Sequence, residues 1–114
     1  MKESISELKD KEGKVDIEVK IIYDQGTTST FKDFKTKIEK KVKSVVVADV
    51  LSEKGDGGPT ALLDLYDSDI TKFKFQDIIK VTNAYTKKTP SGQFRITYAN
   101  KIELVERPKQ ENNG

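Results

Sequence analysis

A chain of 114 residues with 34% hydrophobic and 35% charged side chains is the size of one domain with a heavily solvated surface, so a single architecture is expected. Its 21 basic and 19 acidic residues leave a formal charge of +2, so attraction to a polyanion must come from where the charges sit and not from their sum. The absence of Cys and His excludes disulfides, thiolate or imidazole metal sites, and Cys- or His-based catalysis.

No apolar run approaches the ~20 residues of a membrane span, and Met1-Lys2-Glu3-Ser4 lacks the apolar segment of a signal peptide, which sets the expectation of a cytoplasmic, nucleoid-associated protein. Ser4, with Glu7 three residues on and Ile5 and Leu8 at helical spacing, predicts a short capped lead-in packed across one end of a sheet. From Val15 to Ile21 apolar and charged residues alternate, the pattern of a strand with one buried and one wet face. Between Asp24 and Lys41, Phe31, Phe34 and Ile38 fit both helical and alternating spacing; an extended loop or ribbon is the preferred reading.

The β-branched content from Val42 to Leu51 predicts a second strand buried on more than one side in its middle. Three glycines and a proline between Glu53 and Pro59 predict a loop. A third strand follows, with Ala61, Leu63 and Leu65 inward and Leu62, Asp64 and Tyr66 outward. Asp67-Ser68-Asp69 before Ile70 and Phe73 reads as the start of one or two helical turns. Ile78 to Tyr85 is a fourth strand, Thr89 to Gly92 a turn, and Phe94, Ile96 and Tyr98 alternate with polar residues in a fifth, which Ile102, Leu104 and Val105 extend. The domain is expected over 1–108, with 109–114 a polar, disordered tail. Five strands with a short helix between the third and fourth is the element order of an all-β OB-fold, a partly open Greek-key barrel.

The chain also resembles the archaeal single-stranded DNA-binding proteins and the DNA-binding domains of archaeal replication protein A. The likeness rests on the Ile5-Ser6-Glu7-Leu8-Lys9 opening, Val47-Ala48-Asp49, Leu63-Asp64-Leu65-Tyr66-Asp67, the run from Asp77 to Tyr85, and Gly92-Gln93 with the strand after it. It implies an OB-fold that binds single-stranded DNA in replication, repair or recombination, with other replication protein A subunits or domains as further partners. It also implies that Tyr66 and Tyr85, at the ends of the third and fourth strands, stack on bases. The aromatic that some relatives carry in the turn after strand four is replaced here by Lys87-Lys88-Thr89-Pro90.

The residues themselves add further candidates. Lys87 and Lys88 suit phosphate contacts or a solvated hairpin tip equally. Phe31 and Phe34, among Lys32, Lys35 and Lys37, suit a loop closing over a strand of nucleic acid or core packing. Arg95 on the outer face of strand five suits a base or a phosphate, and Lys43 on strand two is a candidate by the same logic. An enzyme would have to use Asp64, Asp67 and Asp69, whose spacing matches no metal-loop pattern; no catalytic residue, metal or cofactor is expected. A protein-interaction module and an RNA binder are the alternatives.

Overall fold

Alternation builds the first strand: β1 (Val15–Tyr23) turns Val15, Ile17, Val19 and Ile21 into the core and leaves Asp16 exposed. The structure, a computed structural model, describes residues 5–24, 26–50 and 59–107. The expected Ser4 cap, the glycine tip of the loop in 51–58 and the tail 109–114 lie outside the described residues. A 3-10 turn at Ile5–Glu7 precedes β1. Its Ile5 amide donates to the Asp49 carboxylate at 2.8 Å, which seats Ile5 and Leu8 in the core.

The ambiguous segment after β1 is a ribbon, as preferred: β2 (Ser29–Lys32) pairs antiparallel with the start of β3 (Glu39–Asp49), Ser29 opposite Val42. Asp33 shapes the turn between them. Its carboxylate accepts the Lys35 amide at 2.8 Å, and its carbonyl accepts the Lys37 amide at 2.7 Å. Further along β3, Val45 and Val47 are buried while Val46 is half-buried on the outer face, which accounts for the unbroken valine run.

β4 (Thr60–Tyr66) pairs with β3 and carries Ala61, Leu63 and Leu65 inward, in the predicted phase. The helix α1 (Asp69–Lys72) is a single turn. Ser68 makes no side-chain cap, and Asp67 accepts the Lys41 amide at 3.1 Å instead, because its backbone at φ 49° turns it back onto β3. Phe73, just past α1, plugs the core.

β5 (Ile78–Lys88), β6 (Phe94–Thr97) and β7 (Lys101–Glu106) complete the chain. β1 pairs with β3, β3 with β4, β4 in parallel with β6, β6 with β5, and β5 with β1 again, so five strands close into a barrel. β7 continues β6 along the same edge of β5 after one extra residue: Thr97 faces Tyr85, and Lys101 faces Thr82. The predicted extension of the last strand is therefore present, but interrupted at Tyr98–Asn100, where Tyr98 has φ 51°. Each aliphatic side chain sealed inside the barrel stabilises it by roughly 1.5–3 kcal/mol.

Candidate nucleic-acid interface

The same alternation that fills the barrel sets out one row of side chains on its outer face. Across neighbouring strands the register aligns Ser44 with Asp64, Leu62 with Arg95, and Arg95 with Lys87; one step along, Val42 faces Tyr66, and Thr97 faces Tyr85. The β2–β3 ribbon rises beside this row and makes it the floor of a groove. One recess is lined by Gly26, Phe31, Ser44, Asp64, Tyr66, Arg95 and Tyr98, and it runs into a second between Tyr66, Tyr98 and the ribbon's Phe34. Gly26 is required where the chain crosses β3, since a Cβ there would come within 2.7 Å of the Ser44 carbonyl oxygen.

Three rings meet where the recesses join. Tyr66 and Tyr98 stack with centroids 5.5 Å apart and planes 12° from parallel, and Phe31 meets Tyr66 edge-on at 6.2 Å. Both arrangements are favourable for aromatic quadrupoles. The Tyr66 hydroxyl is hydrogen-bonded to Thr97 at 2.8 Å. Burial pushes the Tyr66 phenol up to about 12, against the pull of the Thr97 hydrogen bond and with help from Asp64 and Tyr98. Tyr66 is thus a fixed support with neighbours on its face and edge. Tyr98, 64% exposed, is the ring that offers a surface outward.

Tyr98 is the residue the strand pattern assigns wrongly. Alternation places it inward with Phe94 and Ile96, but a left-handed backbone at Tyr98 breaks the phase and lays its ring on Tyr66. Non-glycine residues rarely adopt that conformation, and they do so where surrounding structure holds them. The only signal in the sequence is Asn100, a turn former two residues on.

The structure brings Tyr66, Arg95 and Phe31 together and puts Phe34, 98% exposed, at the ribbon tip. The alternative of core packing fails for Phe34, and Phe31, half-buried, packs on Tyr66 in the groove and not within the core cluster. Tyr85, 54% exposed, lies on the same face beyond β6. Its ring rests against Gly13, where a Cβ would approach a ring carbon at 2.8 Å. Lys87 projects beside Arg95 on that face. Lys88 has the opposite phase and lies over the Phe94 ring at 6.0 Å. Lys43 also leaves the row: it sits opposite inward-facing Leu65 and pairs with Asp24 at 2.5 Å. The run of valines hid that phase.

Arg95 is held in place. Its Nη1 donates to Asp64 Oδ1 at 2.6 Å and to Ser44 Oγ at 3.1 Å, and Ser44 donates to the same Asp64 oxygen at 2.6 Å. Of the acids weighed for metal chemistry, Asp64 is engaged here and Asp67 at the Lys41 amide. Among the described residues no group of three or more ligating side chains could hold a metal ion.

A comparison with solved structures bears on this arrangement. The second OB-fold domain of replication protein A from Methanococcus maripaludis, determined by solution NMR, superposes with a TM-score of 0.67 at 22% sequence identity, covering 96% of this chain and 100% of that one. This chain is an OB-fold. No family model and no curated protein matches the sequence. In OB-fold terms, the ribbon β2 is an elaboration of the loop between the first two barrel strands, and Thr89–Gln93 is the loop between the last two. That second loop is closed by Gly92 at φ 92°, with the Thr89 amide donating to the Gln93 carbonyl at 2.8 Å.

Proposed function

We propose that this OB-fold binds single-stranded DNA in a sequence-tolerant way, as a replication protein A-like module acting in replication, repair or recombination, and that it carries out no catalysis. The observation that carries the reading is the ring cluster Phe31, Tyr66 and Tyr98 at the floor of a groove walled by a lysine-bearing ribbon. Any base has a π face, and stacking on an aromatic side chain contributes about 1–3 kcal/mol per base. The groove lies on the second and third barrel strands and beside the loops that OB-folds use for oligonucleotides. Lys32, Lys35 and Lys37 on the ribbon supply the phosphate attraction that a net charge of +2 does not supply by itself.

In this reading the backbone follows the ribbon lysines while one base stacks on Tyr98 and another on Tyr85. Tyr66 backs Tyr98, and Phe34 closes over the strand from the ribbon tip. Lys87 adds a phosphate contact beside Arg95. No helix among the described residues is long and apolar enough to cross a membrane, and a cytoplasmic, nucleoid-associated location goes with the proposed ligand.

Fluorescence anisotropy of a labelled oligothymidine, with duplex DNA and matching RNA as competitors at two salt concentrations, tests the proposal. Binding that prefers the DNA single strand and weakens with salt is expected. No binding at low salt overturns it, and stronger competition by RNA reassigns the ligand. In that first case a second reading gains weight. Leu104 and Val105 are exposed on opposite faces of β7, and either would suit contact with another replication protein A-like subunit or domain.

A further inference from the structure

The recess beside Tyr66 has a floor that stacking alone does not use. Asp64 is 6% exposed and belongs to the recess lining. Ser44 and Arg95 both donate to its Oδ1, and no described residue donates to Oδ2. Arg95 makes these contacts through Nη1, so its Nε and Nη2 hydrogens point elsewhere along the guanidinium edge. The cavity measures about 610 Å³ and is also lined by Phe31 and Tyr98. A carboxylate at its base repels a phosphate, while the rings beside it favour a flat aromatic ligand.

A carboxylate acceptor and unused guanidinium donors that line one recess together make a pattern that a base edge can match. Guanine presents it on its pairing edge, and cytosine is its complement, with an amino group that donates and N3 and O2 that accept. Carboxylates accept from the cytosine amino group, and arginine donates in pairs to base acceptors. Thymine turns a carbonyl oxygen to the place where cytosine has its amino group, opposite the Asp64 carboxylate.

We propose that Asp64 and Arg95, braced by Ser44, form a cytosine-selective subsite within the otherwise tolerant groove. This rests on the reading of the groove as a single-strand DNA site. Ser44 and Arg95 both hold Oδ1, which leaves Oδ2 for a ligand in the recess, and the same ion pair restrains the guanidinium beside it. The base enters edge-first past Tyr66, and its neighbours stack on Tyr98 and Tyr85 without discrimination.

Competition at neutral pH between oligocytidine and oligothymidine of equal length is the test. Roughly tenfold tighter binding of oligocytidine is expected, the lower end of what one good polar base contact gives. An oligonucleotide with 2-pyrimidinone in place of cytosine, which lacks the amino group, should lose the preference with the protein unaltered. In Asp64→Asn the ratio of the two affinities should fall to within about twofold, whereas Tyr98→Ala should weaken both ligands and keep the ratio. Equal binding of the two oligonucleotides overturns the subsite and leaves the single-strand function standing. Retention of the preference by the 2-pyrimidinone strand overturns the role of Asp64. Failure of every single strand to bind overturns the function itself and the subsite with it.

Discussion

At the scale of single residues, Tyr66 and Tyr98 divide one task. Tyr98 is exposed and strained, and Tyr66 is half-buried and hydrogen-bonded. In Tyr98→Gly the lost ring should cost about 1–3 kcal/mol in single-strand binding. The melting temperature should fall only slightly, because relief of the left-handed backbone offsets much of the lost stacking on Tyr66 and of the greater freedom that glycine has when unfolded. Anisotropy and thermal melts on the same sample check both halves. Tyr66 leaves a separate signature. Its phenol is raised from 10.0 to about 12, so the folded state holds that proton more tightly than the unfolded chain does. The resulting stability is complete below pH 10 and is lost as pH rises from about 10 to about 12. An ultraviolet phenolate titration should show a component near pH 12 that Tyr66→Phe removes.

Elements decide how these rings are presented, and the β2–β3 ribbon matters most. Asp33 organises its turn, and the Lys35 and Thr36 amides hold the Asp33 carboxyl below its ordinary value against a slight opposing effect of burial. Asp33→Ala should loosen the tip that carries Phe34 and weaken single-strand binding several-fold, while the melting temperature of the closed barrel stays within a few degrees. The barrel strands were legible in the sequence because their alternation is enforced by burial: Val15 to Ile21, Ala61 to Leu65 and Phe94 to Ile96 each face as their pattern says. The ribbon was legible only as extended chain, since Phe31 and Phe34 are spaced for several structures. The facing of Tyr98 was misread and that of Lys43 was left open for a common reason. A left-handed residue in one case and a run of valines in the other removed the alternation from which direction is inferred. Tyr66 and Arg95 came out on the outer face because they follow clean alternation; Tyr85 does so only because the phase of β5 breaks at Asn83, whose φ is 53°, and their joint use with Tyr98 depends on a bulge that no pattern reports.

At the scale of the whole molecule, the barrel is fastened at its foot by one buried acid. Asp77 is 1% exposed, accepts Arg107 Nε at 2.9 Å and Nη2 at 2.8 Å, and takes the Lys74 amide at 2.8 Å. Its own carbonyl receives the Ile21 amide at 3.0 Å, so one residue joins the end of β1, the turn after α1 and the chain beyond β7. Burial pushes the Asp77 carboxyl up, but the Arg107 hydrogen bonds, the Lys74 amide and the charges of both residues outweigh it and leave the value below 3.8. A lowered carboxylate contributes stability that is present above the unfolded value of 3.8 and is lost as pH falls through the folded one. Asp77→Asn should therefore lower stability at pH 7 by about 1–3 kcal/mol, since a buried donor set is left poorly matched. That deficit should shrink as pH drops from 3.8 toward the lower folded value, because the unfolded aspartate takes up its proton first, and it should vanish once the native one is protonated too. Urea midpoints of both proteins from pH 7 to pH 2.5 make the comparison. Converging curves place the acid sensitivity of the fold at this junction, and parallel curves would assign it to other carboxylates.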